Sequence, residues 1–140
     1  MDNGNHRRVI VDTDVLIDYF AGVSPSAEAV ERLLQEDRLV VTTPTLFELA
    51  CGCQTPAQLQ DLELLMKTTY GVELSGTAAL RAGACYRELK AQGQLIGVSD
   101  LLIAGCCLER DLPLLTRNTG HFQRVRGLTL LEVSNLLSRS

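Results

Sequence analysis

The sequence predicts an α/β fold of three layers, in which helices cover both faces of a mainly parallel sheet of about five strands. Short apolar runs of strand length alternate along the chain with amphipathic segments of helical length. The strand runs are rich in valine, isoleucine and leucine without polar alternation, which is typical of strands buried on both faces. With 140 residues, of which 46% are hydrophobic, the chain suits a single domain over residues 1–140.

The N-terminal part predicts one strand and two helices. The β-branched run VIV at 9–11 is typical of a buried parallel strand, and it stops at Asp12. Thr13 is expected to cap the helix TDVLIDYFAG, which Gly22 ends. Pro25 then opens a second helix, SAEAVERLLQED, whose apolar residues recur at helical spacing.

The middle of the chain predicts two further strands and three helices. The second strand is LVVT, and the helix after it is expected to have Thr43 as its cap and Pro44 at its first position. Thr55-Pro56 repeats this signal before AQLQDLELLMKTTYG. A third strand is predicted at 72–74, followed by a long helix from Gly76 to Gln92.

The stretch from Gly97 to Phe122 is the most informative part of the chain. Ser99 is the expected cap of a helix over LLIAGCCL, which places Asp100 in the first helical turn. Pro113 breaks the helical pattern, and LPLLT predicts a short buried strand that is followed by a polar turn. A last strand is expected in LTLLEV, before a polar end, SNLLSRS.

Composition excludes several classes of protein. No apolar run approaches the roughly 20 residues of a membrane span, and the N-terminus does not look like a signal peptide, so a cytoplasmic location is expected. The 5 cysteines lack zinc-ligand spacing, which favours reduced thiols over zinc or a disulfide. A net charge of −4 gives no general attraction to nucleic acid, although arginine supplies most of the basic residues.

Several carboxylates share one kind of position in this arrangement. Asp12 follows the first strand, Glu48 lies on the helix after the second, and Asp100 opens the helix before the strand LPLL. Asn118 and His121 follow that strand. If the strands are parallel neighbours, these groups converge at one edge of the sheet, where carboxylates repel unless a cation neutralises them. Oxygen ligands of this kind suit Mg²⁺, and such a site suits phosphate chemistry.

Each of these residues also has a structural interpretation. Aspartate is common at helix starts, so Asp12, Asp14 and Asp100 could serve as caps. Glu48 is harder to explain in this way because it lies beyond the first turn in an apolar context. Three further residues have ordinary alternatives: Asn118 as a turn residue, His121 as a loop histidine and Asp18 as a solvated or edge residue.

The segments VIVDTDVLIDYFAG, TPTLFELACG and VSDLLIAGCCLERDLPLLTRNTGHFQRV, in this order, resemble a PIN domain. The resemblance covers residues 8–133 and is strongest to the VapC-type toxins of bacterial toxin–antitoxin pairs. It implies a Mg²⁺- or Mn²⁺-dependent endoribonuclease that is inhibited by a VapB-like antitoxin. Such a nuclease is usually a homodimer. The amphipathic helices within 25–37 and 55–70 are candidates for partner contacts.

The resemblance also assigns roles to individual residues. Asp12, Glu48 and Asp100 match the three acids of the family's metal site, and Asn118 falls at a fourth polar or acidic position. The chain departs from the most acidic pattern because it has Asn118, and because His121 stands where an aspartate often precedes the phenylalanine. This departure puts a tightly held second metal in doubt. Residues expected to orient ligands or contact substrate are Thr13, Thr116, Arg117 and His121, with Arg124 and Arg126 as further candidate phosphate contacts.

Two other functions are compatible with parts of the pattern. The motif VIVDTD is similar to the nucleophile segment of haloacid-dehalogenase-like phosphatases, but these need a later lysine at a strand end. The only lysines, Lys67 and Lys90, fall in predicted helices. The second alternative is a catalytically weak PIN-like module that binds RNA or protein without cutting it, which the missing fourth acid keeps open.

Overall fold

The computed structural model describes residues 7–138. Residues 1–6 and 139–140 lie outside this range. The expected absence of a signal peptide depends in part on the first of these segments, and the predicted polar end includes the second. Over the described range, no helix combines the length and apolar character that a membrane crossing requires. All five cysteines are free thiols.

Five parallel strands form the sheet, which confirms the predicted fold class. The central strand β1 pairs with β2 on one side and β4 on the other, so that the order is β3-β2-β1-β4-β5. All three residues of β1 are inaccessible to solvent, as its run of β-branched residues predicts. The strands are β1 (Val9–Val11), β2 (Leu39–Thr42), β3 (Tyr70–Val72), β4 (Leu114–Leu115) and β5 (Leu130–Leu131).

Eight helices connect the strands or flank them within the described residues. The last two helices occupy stretches that were predicted to be a polar turn and a polar end, so those two predictions are wrong. Each is too short for a periodic pattern and is stabilised by a few buried side chains: Phe122 in α7, and Val133 with Leu136 in α8. The helices are α1 (Thr13–Ala21), α2 (Ser26–Gln35), α3 (Thr43–Cys51), α4 (Pro56–Thr68), α5 (Gly76–Ala91), α6 (Val98–Arg110), α7 (Thr119–Phe122) and α8 (Val133–Ser138).

The strand boundaries differ from the prediction in detail. The third strand begins two residues earlier than the predicted 72–74, because Tyr70–Val72 is the segment that pairs with β2. The fourth and fifth strands are each two residues long, shorter than the apolar runs that predicted them. In a sheet this narrow, pairing with a neighbour sets the ends of a strand, and the apolar run alone does not.

Three helices begin earlier than the cap residues in the sequence indicated. Strands β1 and β2 lead directly into helices, so an extended residue just after β1 and the last residue of β2 take the capping positions, and their side chains bind the first helical turn. Helix α6 begins at a glycine with extended geometry and no side-chain cap. The caps are Asp12, Thr42 and Gly97, in place of the predicted Thr13, Thr43 and Ser99.

The sheet separates two hydrophobic cores, since successive side chains of a strand point to opposite faces. Val9 and Val11 pack in the core formed with α1, α2, α4 and α8. Ile10 packs on the other face, against residues of α5 and α6. This is the three-layer arrangement that the alternating pattern predicted.

Helices α5 and α6 approach closely at Gly105. A β-carbon at this position would lie 2.4 Å from the carbonyl oxygen of Ala78 and 3.0 Å from the β-carbon of Ala82. Only glycine fits this contact without movement of one helix. The contact fixes α6, and with it the first turn of α6 that carries Asp100, against the rest of the second core.

Candidate active site

Asp12 occupies the point where β1 ends and α1 begins. Its Oδ1 accepts the backbone N–H of Thr13 at 2.8 Å, and its Oδ2 accepts the hydroxyl of Thr116, just after β4, at 2.8 Å. The residue is only 4% exposed. Burial is the main cause that raises the pKa of Asp12, to about 7, and the charge of Asp14 is the second. The two hydrogen bonds oppose this rise because they stabilise the charged carboxylate.

Asp14 lies beside Asp12 in the first turn of α1. Its Oδ1 is buried without a hydrogen-bond partner, while its Oδ2 lies 3.7 Å from Nε of Arg117. Burial raises the pKa of Asp14, and Arg117 opposes this rise. Arg117 also pairs with Asp18 at 3.2 Å, and the Asp18 side chain is only 14% exposed, so of the two roles predicted for Asp18 the contacts disfavour a solvated residue and leave that of an edge residue open. Sequence reasoning gave Asp14 only a possible capping role, whereas the cap is Asp12.

Glu48 reaches the same region from α3. The hydroxyl of Thr13 donates to its Oε1 at 2.6 Å, which links the start of α1 to α3. The same hydroxyl lies 3.0 Å from that of Thr45, which in turn lies 3.3 Å from that of Thr42. Sequence reasoning missed Thr45. The signal that could have found it is a hydroxyl side chain three residues before Glu48 on the same helix, because residues at this spacing share a helix face.

Asp100 enters from the first turn of α6. Burial raises its pKa, the charge of Glu48 adds to the rise, and His121 opposes it. Nδ1 of His121 lies 4.0 Å from Oδ2 of Asp100 and 2.8 Å from Nδ2 of Asn118. The backbone N–H of Asn118 donates to the Thr116 hydroxyl at 2.9 Å, so the turn after β4 contacts both Asp12 and Asp100 through its side chains.

The carboxylates therefore form one electrostatic group, which we call the acidic cluster: Asp12, Asp14, Glu48 and Asp100. Asp14 and Asp100 both raise the pKa of Asp12, and Glu48 and Asp14 both raise that of Asp100. Like charges this close to one another disfavour ionisation unless a proton or a cation lies between them. The three acids predicted from the sequence are brought together, and Asp14 joins them.

The cluster fits a hard divalent cation. Within residues 7–138, no three His, Cys, Asp or Glu side chains form a group that could hold a metal ion by themselves. Mg²⁺ does not need such a group, because it retains several waters beside one or two carboxylates. The buried Oδ1 of Asp14 has no protein partner, and a cation or its bound water would supply one.

The arginines proposed as phosphate contacts are engaged within the protein. Besides the pairs that Arg117 makes on α1, Arg124 donates to the carbonyl oxygens of Gln94 and Leu95, each at 3.3 Å. Arg126 pairs with Glu88 at 3.0 Å. In this arrangement each of the three side chains has a partner within the protein.

An open apolar groove of about 390 Å³ lies between α1, α3 and α4. Glu48 forms part of its wall, so the groove begins beside the acidic cluster. Two of its apolar side chains are exposed, Ile17 by 54% and Phe20 by 42%. Other lining residues are Ala21, Leu49, Gly52, Cys53, Gln58, Asp61 and Leu62.

Comparison with known proteins identifies the family. The sequence profile of the PIN domain matches residues 9–128. The chain is 35% identical to "Ribonuclease VapC1" of Haemophilus influenzae strain R2866, over 85% of this chain and 92% of that protein. It is 31% identical to "tRNA(fMet)-specific endonuclease VapC" of Shigella flexneri, over 86% of this chain and 94% of that protein.

Solved structures agree with the sequence comparison. The fold superposes on a chain of VapBC-1 from nontypeable Haemophilus influenzae with a TM-score of 0.76 and 32% identity, covering 90% of this chain and 98% of that one. The relatives are matched over nearly their whole length, and the range matched by the family profile spans the four positions of the acidic cluster. The chain therefore belongs to the PIN domain family, among its VapC ribonucleases.

Proposed function

We propose that this protein is a metal-dependent endoribonuclease, the toxin of a type II toxin–antitoxin pair, acting as one cytoplasmic nuclease domain over residues 1–140. The observation that carries the proposal is the acidic cluster at the carboxyl ends of β1 and β4, in a chain whose relatives are named VapC ribonucleases. The reaction is the hydrolysis of an RNA phosphodiester by water.

Asp12, Glu48 and Asp100 are the residues that would hold Mg²⁺ or Mn²⁺, directly or through water. When bound, the cation supplies a water of lowered pKa and positive charge beside the scissile phosphate. The protein fixes these carboxylates before the substrate arrives. Thr116 and the N–H of Thr13 hold both oxygens of Asp12, and the Thr13 hydroxyl holds Glu48.

Asn118 and His121 form the outer edge of the site. The side-chain amide of Asn118 lies 2.8 Å from Nδ1 of His121 and orients the ring. The imidazole is 48% exposed, so it is accessible to a phosphate oxygen of the RNA. We assign His121 to the positioning of substrate, with Asn118 as the residue that orients its ring.

The partner of the toxin is a VapB-like antitoxin, as in the VapBC complex of Haemophilus influenzae. We place an apolar segment of this antitoxin in the groove between α1, α3 and α4. The groove exposes Ile17 and Phe20 and begins beside Glu48, so an occupant would also restrict access to the acidic cluster. Two copies of the toxin are expected to associate as a homodimer, with α2 and α4 as candidate contacts, and light scattering of the purified protein tests this.

Cleavage of end-labelled RNA by the antitoxin-free protein tests the proposed function. The reactions contain Mg²⁺, Mn²⁺ or EDTA, and the test variant is Asp100→Asn. Asp111→Asn is the matched control, since it makes the same change of charge at the opposite end of α6. We expect cleavage with either metal, none with EDTA, and a loss of activity of at least about 100-fold in Asp100→Asn alone.

The outcomes separate the proposal from its alternatives. Cleavage that persists in Asp100→Asn would remove this carboxylate from the site. A folded wild-type protein that neither cuts RNA nor binds Mn²⁺ would favour a binding module. The phosphatase alternative has no support here, because Lys67 and Lys90 lie within α4 and α5 and do not follow a strand.

A further inference from the structure

Three threonine hydroxyls form a continuous buried chain that ends on Glu48. We call Thr42, Thr45 and Thr13 the threonine chain. Thr42 and Thr45 are inaccessible to solvent, and Thr13 is 9% exposed. The oxygen–oxygen distances shorten along the chain, from 3.3 Å between Thr42 and Thr45 to 3.0 Å between Thr45 and Thr13 and 2.6 Å between Thr13 and Oε1 of Glu48.

The donors and acceptors in this chain can be assigned from proton counting. A carboxylate only accepts, and each hydroxyl has a single proton to donate. Thr13 therefore uses its proton on Glu48, and its contact with Thr45 must be donated by Thr45. Thr45 has then used its own proton, so its contact with Thr42 must be donated by Thr42. The three hydroxyls point in one direction, toward Glu48.

We propose that Thr45 is a positioning residue for Glu48, which acts by fixing the direction in which the Thr13 hydroxyl donates. This inference rests on the proposed function, in which Glu48 helps to hold the divalent cation. Thr45 does not touch the carboxylate in the structure, and its effect passes through Thr13.

A fixed hydroxyl matters here because a glutamate side chain has several rotatable bonds. Glu48 is half-buried, and the Thr13 hydroxyl at 2.6 Å is the hydrogen bond that restrains its Oε1. Without the Thr45 hydroxyl, Thr13 loses the hydrogen bond that its oxygen accepts, and with it the contact that fixes its position beside Glu48. Glu48 then has to be ordered when the cation binds, which lowers the affinity for the cation.

The test measures Mn²⁺ binding to the purified full chain by electron paramagnetic resonance, without RNA. Thr45→Val keeps the shape of the side chain and removes the hydroxyl, while Thr45→Ser keeps the hydroxyl. We expect Mn²⁺ affinity to fall about tenfold in Thr45→Val and to be retained in Thr45→Ser. A tenfold loss is the lower end of the range for residues that support a metal ligand by hydrogen bonding. Thr43→Val is the matched control, since the Thr43 hydroxyl accepts the backbone N–H of Leu74 and is outside the chain.

Each outcome decides between support and rejection. Loss of affinity in Thr45→Val with rescue by serine supports the positioning role, because a merely structural residue would change the melting temperature without changing Mn²⁺ affinity. Equal affinity of the valine, serine and wild-type proteins overturns it and leaves the proposed function standing. A wild-type protein that binds no Mn²⁺ overturns both. If valine prevents folding, Thr45→Ala gives the same comparison.

Discussion

Asp12→Asn should make the metal-free protein more stable at neutral and alkaline pH, although it removes a residue of the proposed active site. The wild-type carboxylate is almost fully buried next to Asp14, and its pKa is raised to about 7. Asparagine is neutral at every pH and has nearly the same shape. Its side-chain oxygen can still accept the N–H of Thr13, and its amide can donate to the Thr116 hydroxyl.

The size of the effect follows from the pKa. A carboxyl group that titrates near 3.8 when unfolded and at about 7 when folded is protonated more readily in the folded state. The wild type therefore bears no penalty below pH 3.8, loses stability as the pH rises toward 7, and bears the full penalty above it. At about 1.4 kcal/mol per pKa unit, the full penalty is about 4 kcal/mol, which corresponds to roughly 10 °C in melting temperature.

Thermal unfolding between pH 4 and pH 9 in EDTA is the assay. The melting temperatures of the variant and the wild type should coincide near pH 4 and diverge as the pH rises, with the variant higher. Mg²⁺ should then raise the melting temperature of the wild type only, since it neutralises the charge that asparagine lacks. Parallel curves, or a variant less stable than the wild type at pH 8, would refute the reasoning. Asp111→Asn, at an exposed site, is the control.

Three further predictions address the metal site, the helix packing and the partner. Asp14→Asn should weaken Mn²⁺ binding about tenfold, measured by electron paramagnetic resonance, because its buried Oδ1 has no protein partner; equal affinity would exclude it from the site. Gly105→Ala should cost about 2 kcal/mol in urea unfolding, since its β-carbon meets the Ala78 carbonyl. Gly83→Ala on α5, where a β-carbon would meet only the end of the Arg87 side chain at 4.0 Å, should gain about 0.5 kcal/mol. Phe20→Glu should weaken antitoxin binding at least about tenfold by calorimetry without loss of fold, and unchanged affinity would move the antitoxin elsewhere.

The fold was predictable because its strands are buried on both faces. VIV and LVVT have no polar residue to satisfy at their centres, and such runs between amphipathic helices indicate a covered parallel sheet. The exact starts of the helices were less predictable. Where a strand runs directly into a helix, Asp12 or Thr42 caps the helix from the strand, and the next threonine, which looks like the cap in the sequence, is already helical.

The candidate site was predictable in its acids and less so in its supporting residues. Asp12, Glu48 and Asp100 stand out because carboxylates are rare beside buried strands and on apolar helices. Asp14 has the same sequence signature as an ordinary first-turn acid, and only its burial distinguishes it. The spacing of Thr45 and Glu48 indicates only that they share a helix face, and the contact of Thr45 with Thr13, 32 positions away on another helix, leaves no local pattern to read.

The internal pairing of the arginines that follow β4 has a consequence for the way RNA is bound. Each phosphate that a lysine or arginine neutralises releases condensed cations, so the number of such contacts sets how steeply affinity falls with added salt. Arg117, Arg124 and Arg126 already have partners within the protein, and the chain as a whole carries a charge of −4. These three arginines should therefore add little to the dependence of RNA affinity on potassium chloride, since each would have to leave its partner in the protein to contact a phosphate. Any release of condensed cations on RNA binding would then have to come from the other basic residues of the chain.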